Sequence, residues 1–181
     1  MMLLNPYLLA AASPSAPAIG DAYQGGYYAG DIVDGGNTYR IVVAPKAGEA
    51  YGKVWKYEGT STAGTDSTTN GLANSLNMLD GLHAAGAYAM AYTAGGYDDW
   101  YLPSSGELAV IAANLRPGGA GTPSAFKTGG AQAFAAGAWY WSSTQYSVAL
   151  ARAWPTPSSE VSQDTKASTG NYTRPVRRVP A

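Results

Sequence analysis

The apolar positions of this chain fall into short runs separated by small, polar or Gly-rich stretches. The first clear runs are YYAGDIV (27–33) and TYRIVVA (38–44), on either side of Asp34-Gly35-Gly36-Asn37. Val, Ile and Tyr favour extended backbone, and a Gly-rich link of that length predicts a hairpin. Pro45 has no N–H to give a ladder, so the second strand ends there. A short strand carrying Trp55 is expected over residues 53–57, and the small polar run EGTSTAGTDSTTN (58–70) reads as an exposed loop. Leu72, Leu76, Leu79, Leu82 and Gly86 recur at helical spacing, which predicts a helix over residues 70–91. Gly81 and Gly86 weaken it by about 1 kcal/mol each relative to Ala, and a break fits near Asp80-Gly81. Residues 116–137 are a Gly/Ala loop with little core potential. Three strand candidates follow, at 139–144 (WYWSST), 149–154 (ALARAW) and 173–179 (TRPVRRV), with a polar, turn-like link before the last.

The stretch GGYDDWYLPSSGEL (95–108) joins a strand-like aromatic segment to a helix. Trp100, Tyr101 and Leu102 run into Pro103, and Ser104 is followed three residues later by Glu107. That is the spacing of a capping box: the serine oxygen accepts from the N–H of Glu107, and the glutamate accepts from the N–H of Ser104. A helix is therefore expected from Ser104 through Leu108, Val110, Ile111 and Leu115. The order hairpin, helix, helix, long loops, late strands predicts an α+β domain, two helices packed on a mostly antiparallel sheet. Residues 21–181 form that domain, and residues 1–20 an extended N-terminal arm.

Composition narrows the chemistry. Only 13% of the 181 residues are charged and the net charge is -1, so no electrostatic footprint for nucleic acid is present. The chain has no cysteine, which excludes disulfides, thiol catalysis and cysteine metal sites. Gly (23) and Tyr (14) are abundant, which suits tight turns and amphipathic aromatics on a sheet or binding face. The opening run MMLLNPYLLAAASPSAPAIG is too short to span a bilayer as a helix. No Lys or Arg precedes it and Pro6 interrupts it, so it fits a secretory leader poorly. It reads as an anchor that packs on a partner subunit, through Leu3, Leu4, Pro6, Tyr7, Leu8 and Leu9, with an arm folded back on its own domain as the competing reading.

Three motifs together resemble one family. GGYDDWYLPSSGEL is similar to the G-Y-x-D-W-R-L-P-x-x-x-E-L signature of the DUF1566 (Lcl-type) domain, YWSST (140–144) to its Y-W-S-S-T strand, and NYTRPVRRV (171–179) to its closing V-R-x-V-R strand. The resemblance covers about residues 20–179. It implies a C-type-lectin-like fold of the kind carried by bacterial surface proteins and tailed-phage virion proteins, and IGDAYQGGYYAGDI looks like the virion version. In it, Asp99, Trp100, Leu102, Pro103, Ser104 and Glu107 are the structural motif. The calcium-binding E-P-N, Q-P-D and W-N-D triplets of sugar-binding relatives are absent, and the formylglycine-generating branch would need cysteines. No metal and no cofactor are therefore expected.

Catalytic patterns are sparse. His83 is the only histidine, lies in the helical run and has no G-x-S-x-G elbow to serve; it reads as a helix-face or surface residue. Asp98-Asp99 could form a carboxylate pair for acid–base work or a cation, but the resemblance implies that one of them fixes the turn before Trp100; Glu107 could be a catalytic acid, but helix capping already explains it. Arg174, Arg177 and Arg178 are expected to pair with Asp98, Asp99 or Glu107, or to face a partner. The remaining constellation is aromatic and hydroxylic. Alternation sends Tyr140 to one sheet face and Trp139 and Trp141 to the other. Tyr140, Ser142, Ser143, Thr144, Tyr146, Trp154 and Tyr172 are the candidate ligand-binding set, with burial in the core as the competing reading. The functional expectation is a non-enzymatic virion protein of a tailed bacteriophage. It would be held to other virion proteins by its arm, as a homo-oligomer, and would recognise a host-surface saccharide or protein, with no nucleic acid and no membrane partner. A purely structural capsid decoration or tail/baseplate protein is the alternative, and a bacterial adhesin a third reading.

Overall fold

A computed structural model describes residues 16–181. The proposed anchor residues Leu3 to Leu9 lie outside the described residues. The strands are β1 (Ala22–Tyr23), β2 (Gly26–Asp34), β3 (Asn37–Val43) and β4 (Ala50–Tyr51), followed by the helices α1 (Gly71–Leu76), α2 (Ala84–Ala91) and α3 (Ser105–Leu115). Then come β5 (Trp139–Gln145), β6 (Leu150–Pro155), β7 (Ser162–Thr165), β8 (Asn171–Thr173) and β9 (Val176–Pro180). The architecture is α+β, but with two sheets rather than one. A four-stranded sheet runs β1-β2-β3-β9, and a five-stranded sheet runs β4-β8-β5-β6-β7. Pairing is antiparallel throughout, except between β5 and β8.

The expected hairpin is present and tighter than its four-residue link implied. Asp34 pairs with Asn37, leaving Gly35 (φ 56°) and Gly36 (φ 82°) as a two-residue turn. Both central residues are left-handed, as a turn matched to strand twist requires, and glycine takes that conformation at no steric cost. The closing segment departs from expectation. Residues 173–179 are not one strand: β8 ends at Thr173 and β9 begins at Val176, in different sheets. Pro175 cannot donate to a ladder and its carbonyl instead accepts from Ala44 N–H, while the Arg174 side chain turns inward and is buried.

The leucine spacing over 70–91 does not mark one helix. α1 and α2 are separated by residues 77–83, with Gly81 at φ 80°. Leu76 and Leu79 are exposed, and Met78, Ala85 and Ala89 form the buried face. Gly86 lets α2 close on Met78, because a Cβ there would meet the Met78 side chain. Residues 53–57 are not a strand; the strand ends earlier, at Tyr51. Trp55 is instead fixed by its indole N–H, which donates to Ser142 O at 2.8 Å, and by its backbone N–H, which donates to Lys166 O. The polar link before β8 contains β7, a strand whose SQDT sequence suits a sheet edge facing water.

Two apolar clusters sandwich the five-stranded sheet. On one side, α3 contributes Leu108, Ile111, Ala112 and Leu115 to a core with Tyr140, Trp154 and Val176. On the other, Trp141 packs with Trp55, Met78, Ala85 and Leu102. The 116–137 loop has more core potential than its composition suggested: Phe126 and Phe134 are both buried in the first cluster, with the Arg174 guanidinium 4.5 Å from the Phe134 ring centre.

Candidate ligand-binding groove

The 95–108 joint is scaffold. Ser104 Oγ accepts from Glu107 N–H at 3.3 Å and Glu107 Oε2 accepts from Ser104 N–H at 2.7 Å, so the capping box is complete. Glu107 Oε1 also accepts from the Tyr101 hydroxyl at 2.8 Å, and Glu107 is fully buried. Desolvation pushes its carboxyl above the usual range, against the opposing pull of these donors and Arg178. Trp100, Leu102, Pro103 and Ser104 are buried as well. Asp99 is clamped by Arg177 through two bonds, at 2.6 and 2.8 Å, and the guanidinium lies 3.7 Å from the Tyr97 ring centre. Arg178 pairs with Asp34 rather than with Asp98 or Asp99, and Arg174 sits 3.8 Å from Glu49.

His83 is neither a helix-face nor a surface residue; it is the buried N-cap of α2. Burial lowers its pKa, which favours the neutral ring. Its Nδ1 lies 2.6 Å from Asp80 and its Nε2 2.8 Å from the Thr62 hydroxyl, which accepts from Lys56 Nζ at 3.1 Å. The order hydroxyl, imidazole, carboxylate matches a nucleophile relay. Here, however, the imidazole is fully buried and the hydroxyl nearly so, and the chain of bonds ties the 57–66 loop to the 77–83 turn.

Lys166 secures the same loop. Its ammonium donates to Thr60 O (2.8 Å), Val148 O (2.9 Å) and Gln145 Oε1 (2.6 Å), and lies 4.7 Å from the Trp55 ring centre. Desolvation, with Lys56 nearby, pulls its pKa down to about 8. Such a lysine binds its proton more weakly folded than unfolded. Between about 8 and the ordinary lysine value of about 10.4 the unfolded chain therefore holds the extra proton, and this group's contribution to stability rises with pH across that window. Lysine 13Cε NMR should show one side chain titrating near 8. Stability measured against Lys166→Met, which lacks the group, should climb over the same range.

The candidate ligand-binding residues separate under this geometry. Tyr140, Ser142, Ser143, Thr144 and Trp154 are buried, because both faces of β5 are covered, and they do not form a ligand surface. Their polar atoms are already used: Ser143 N–H and Oγ donate to Pro103 O, Thr144 Oγ1 accepts from Ser105 N–H, and Trp154 Nε1 donates to Ser158 O. Tyr172 is half-buried, stacked on Tyr140 (5.3 Å) and tilted against Tyr51 (4.9 Å). Tyr146 alone of the set is well exposed, at 49%, with the Arg152 guanidinium 4.2 Å from its ring centre.

Arg152 leads to the groove that sequence reading missed. A depression of about 440 Å3 lies between the start of α3, β6 and two loops. Ser105, Gly106 and Ala109 form one wall, Thr68 and Thr69 a second, and Arg152 with 159–161 the third. The first-turn N–H groups of α3 are all engaged, Ser105 by Thr144, Gly106 by Thr68 O and Glu107 by Ser104, so the helix terminus offers nothing to an anion. The free donors in the groove are side chains. Alternation in ALARAW, with small buried Ala151 and Ala153 flanking Arg152, was the available signal.

Among the described residues no group of three or more His, Asp or Glu side chains is placed to hold a metal, and no helix is long and apolar enough to cross a membrane. No family model and no curated protein matches the chain.

Proposed function

We propose that this chain is a non-enzymatic binding protein of a tailed-phage virion, a C-type-lectin-like domain displayed for recognition of a host-surface saccharide or protein. The observation that carries the reading is the groove beside α3. It is open and walled by hydroxyls, while the one hydroxyl–imidazole–carboxylate chain in the described residues is sealed from solvent. The three resembling motifs supply the family context, and the resemblance of IGDAYQGGYYAGDI to the virion version supplies the virion. The 95–108 joint acts as scaffold, in keeping with their structural role in that family. The N-terminal arm, residues 1–20, would fix the domain, as a homo-oligomer, to other virion proteins. The test has two parts. Mass spectrometry of purified particles should find the chain, and host cells preincubated with the purified full chain should adsorb at least tenfold fewer particles. Absence from particles overturns the reading.

A purely structural role, in capsid decoration or a baseplate, is favoured by a different observation: Leu76, Leu79, Tyr57 and Val33 are exposed apolar residues on a charge-poor surface. Such side chains suit permanent neighbours in an assembly. Particles that contain the chain but whose adsorption ignores added chain would decide for this role.

A further inference from the structure

We infer that the groove beside α3 takes an acidic saccharide, with Arg152 holding its carboxylate. The inference rests on the recognition reading above and names the ligand class of that site.

The case begins with the guanidinium. Among the described residues Arg152 forms no ion pair; its one side-chain bond is a long one, 3.4 Å, from Nη1 to Gln163. By contrast Arg174, Arg177 and Arg178 each have a carboxylate within 4 Å. Arg152 is nevertheless not loose. Its plane rests on the Tyr146 ring, which fixes the fork before any ligand arrives and reduces the ordering cost of a two-point bond to a carboxylate. A cation that is positioned, half-buried and unpaired in the wall of a groove is a receptor for one negative charge.

The other walls specify what carries that charge. Thr68, Ser105 and Ser159 supply neutral hydroxyls able to donate and accept, which suits the hydroxyls of a sugar ring, while the Thr69 hydroxyl donates to Asp34 at 2.7 Å and is left to accept. Ala109 and Val161 give a small apolar strip, enough for one face of a pyranose and too little for a large apolar side chain. Glu160 stands in the same lining. Its carboxylate accepts from sugar hydroxyls and repels a second negative charge, so phosphate dianions and nucleotides are disfavoured. About 440 Å3 accommodates two to three sugar units with one end open to solvent.

The test uses the 15N-labelled full chain with paired probes that each carry a single carboxylate: galacturonate against its methyl ester, and sialyllactose against lactose, with inorganic phosphate as a further arm. At least one acidic probe should shift the amides of Gly106 and Ala109 and bind tenfold or more tightly than its neutral counterpart. Arg152→Gln should remove the preference of tenfold or more for the acidic probe over its neutral counterpart. Ala109→Trp, on an exposed helix position, should block both by filling the groove; an unchanged amide fingerprint elsewhere verifies the fold of each variant. The inference is overturned by equal binding of acid and neutral forms, by indifference to Arg152→Gln, by shifts confined to another face, by tighter binding of phosphate, or by no binding of any probe. Its failure is distinct from failure of the recognition reading. Acidic sugars that bind the groove but leave adsorption untouched would overturn recognition alone. Adsorption blocked by the chain but indifferent to acidic sugars would overturn this inference alone.

Discussion

Glu107→Ala should lower stability by about 3–5 kcal/mol, enough to bring a domain of ordinary stability close to unfolding. The carboxylate occupies a fully buried position and accepts from two buried donors, Ser104 N–H at 2.7 Å and Tyr101 O–H at 2.8 Å. Truncation strands both, at about 1–3 kcal/mol each. It also removes half of the capping box that starts α3 and leaves a void where the side chain stood. No neighbour can fill it cheaply: Gly71 already approaches so closely that a Cβ there would collide with Glu107 Oε2. For a chain of this size, the thermal midpoint should fall by about 6–20 °C. A loss below about 1 kcal/mol would show that the joint is held without its glutamate.

The same residue gives a pH signature. Burial raises the folded-state pKa of Glu107 above its unfolded value, so between the two values the folded chain holds more protons than the unfolded chain. Stability from this group therefore falls as pH rises through that window and recovers as pH is lowered toward the unfolded value. Glu107→Gln keeps the shape and loses the titration. The stability difference between wild type and Glu107→Gln, followed from neutral pH down to about 4.5, should move in favour of wild type. Calorimetry at a series of pH values reads this directly.

What the sequence made legible was local. Ser104 and Glu107 declare a helix start because both partners lie within one turn, and Gly35-Gly36 declares a hairpin because only the backbone of that turn is at stake. The Asp99–Arg177 clamp was within reach because the charges in the two motifs are few. What failed depended on the second layer. Leu76 and Leu79 carry a helical period yet face water, since the segment turns at 77–83 and Met78 takes the interior position. Period alone does not say which side another element will cover. Residues 173–179 look continuous, yet Pro175 passes the chain from one sheet to the other. The groove was hidden for the same reason. Its walls come from residues 68–69, 105–109, 152 and 159–161, which only the fold brings together.

The aromatic set makes the consequence of that second layer measurable. Trp154→Ala should cost about 3–5 kcal/mol, while Tyr146→Ala, eight residues earlier in the chain, should cost less than about 1 kcal/mol. In sequence the two are alike: each is an aromatic at or just past the end of a late strand. In the fold they are opposites. The Trp154 indole is fully buried, 5.0 Å from the Phe134 ring and 5.9 Å from that of Tyr140, with its N–H donating to Ser158 O at 2.8 Å. Its removal opens a large cavity under α3 and unpairs a carbonyl. Tyr146 is 49% exposed, and its partner is the Arg152 guanidinium above its ring. Its loss frees that guanidinium to wander, so the expected effect lies in the groove: weaker binding of the acidic probe with folding intact. Denaturant unfolding separates the two outcomes. A Tyr146→Ala variant as unstable as Trp154→Ala would place Tyr146 in the core and remove the support it gives Arg152. A Trp154→Ala variant of native stability would return Trp154 to the ligand surface from which its burial excludes it.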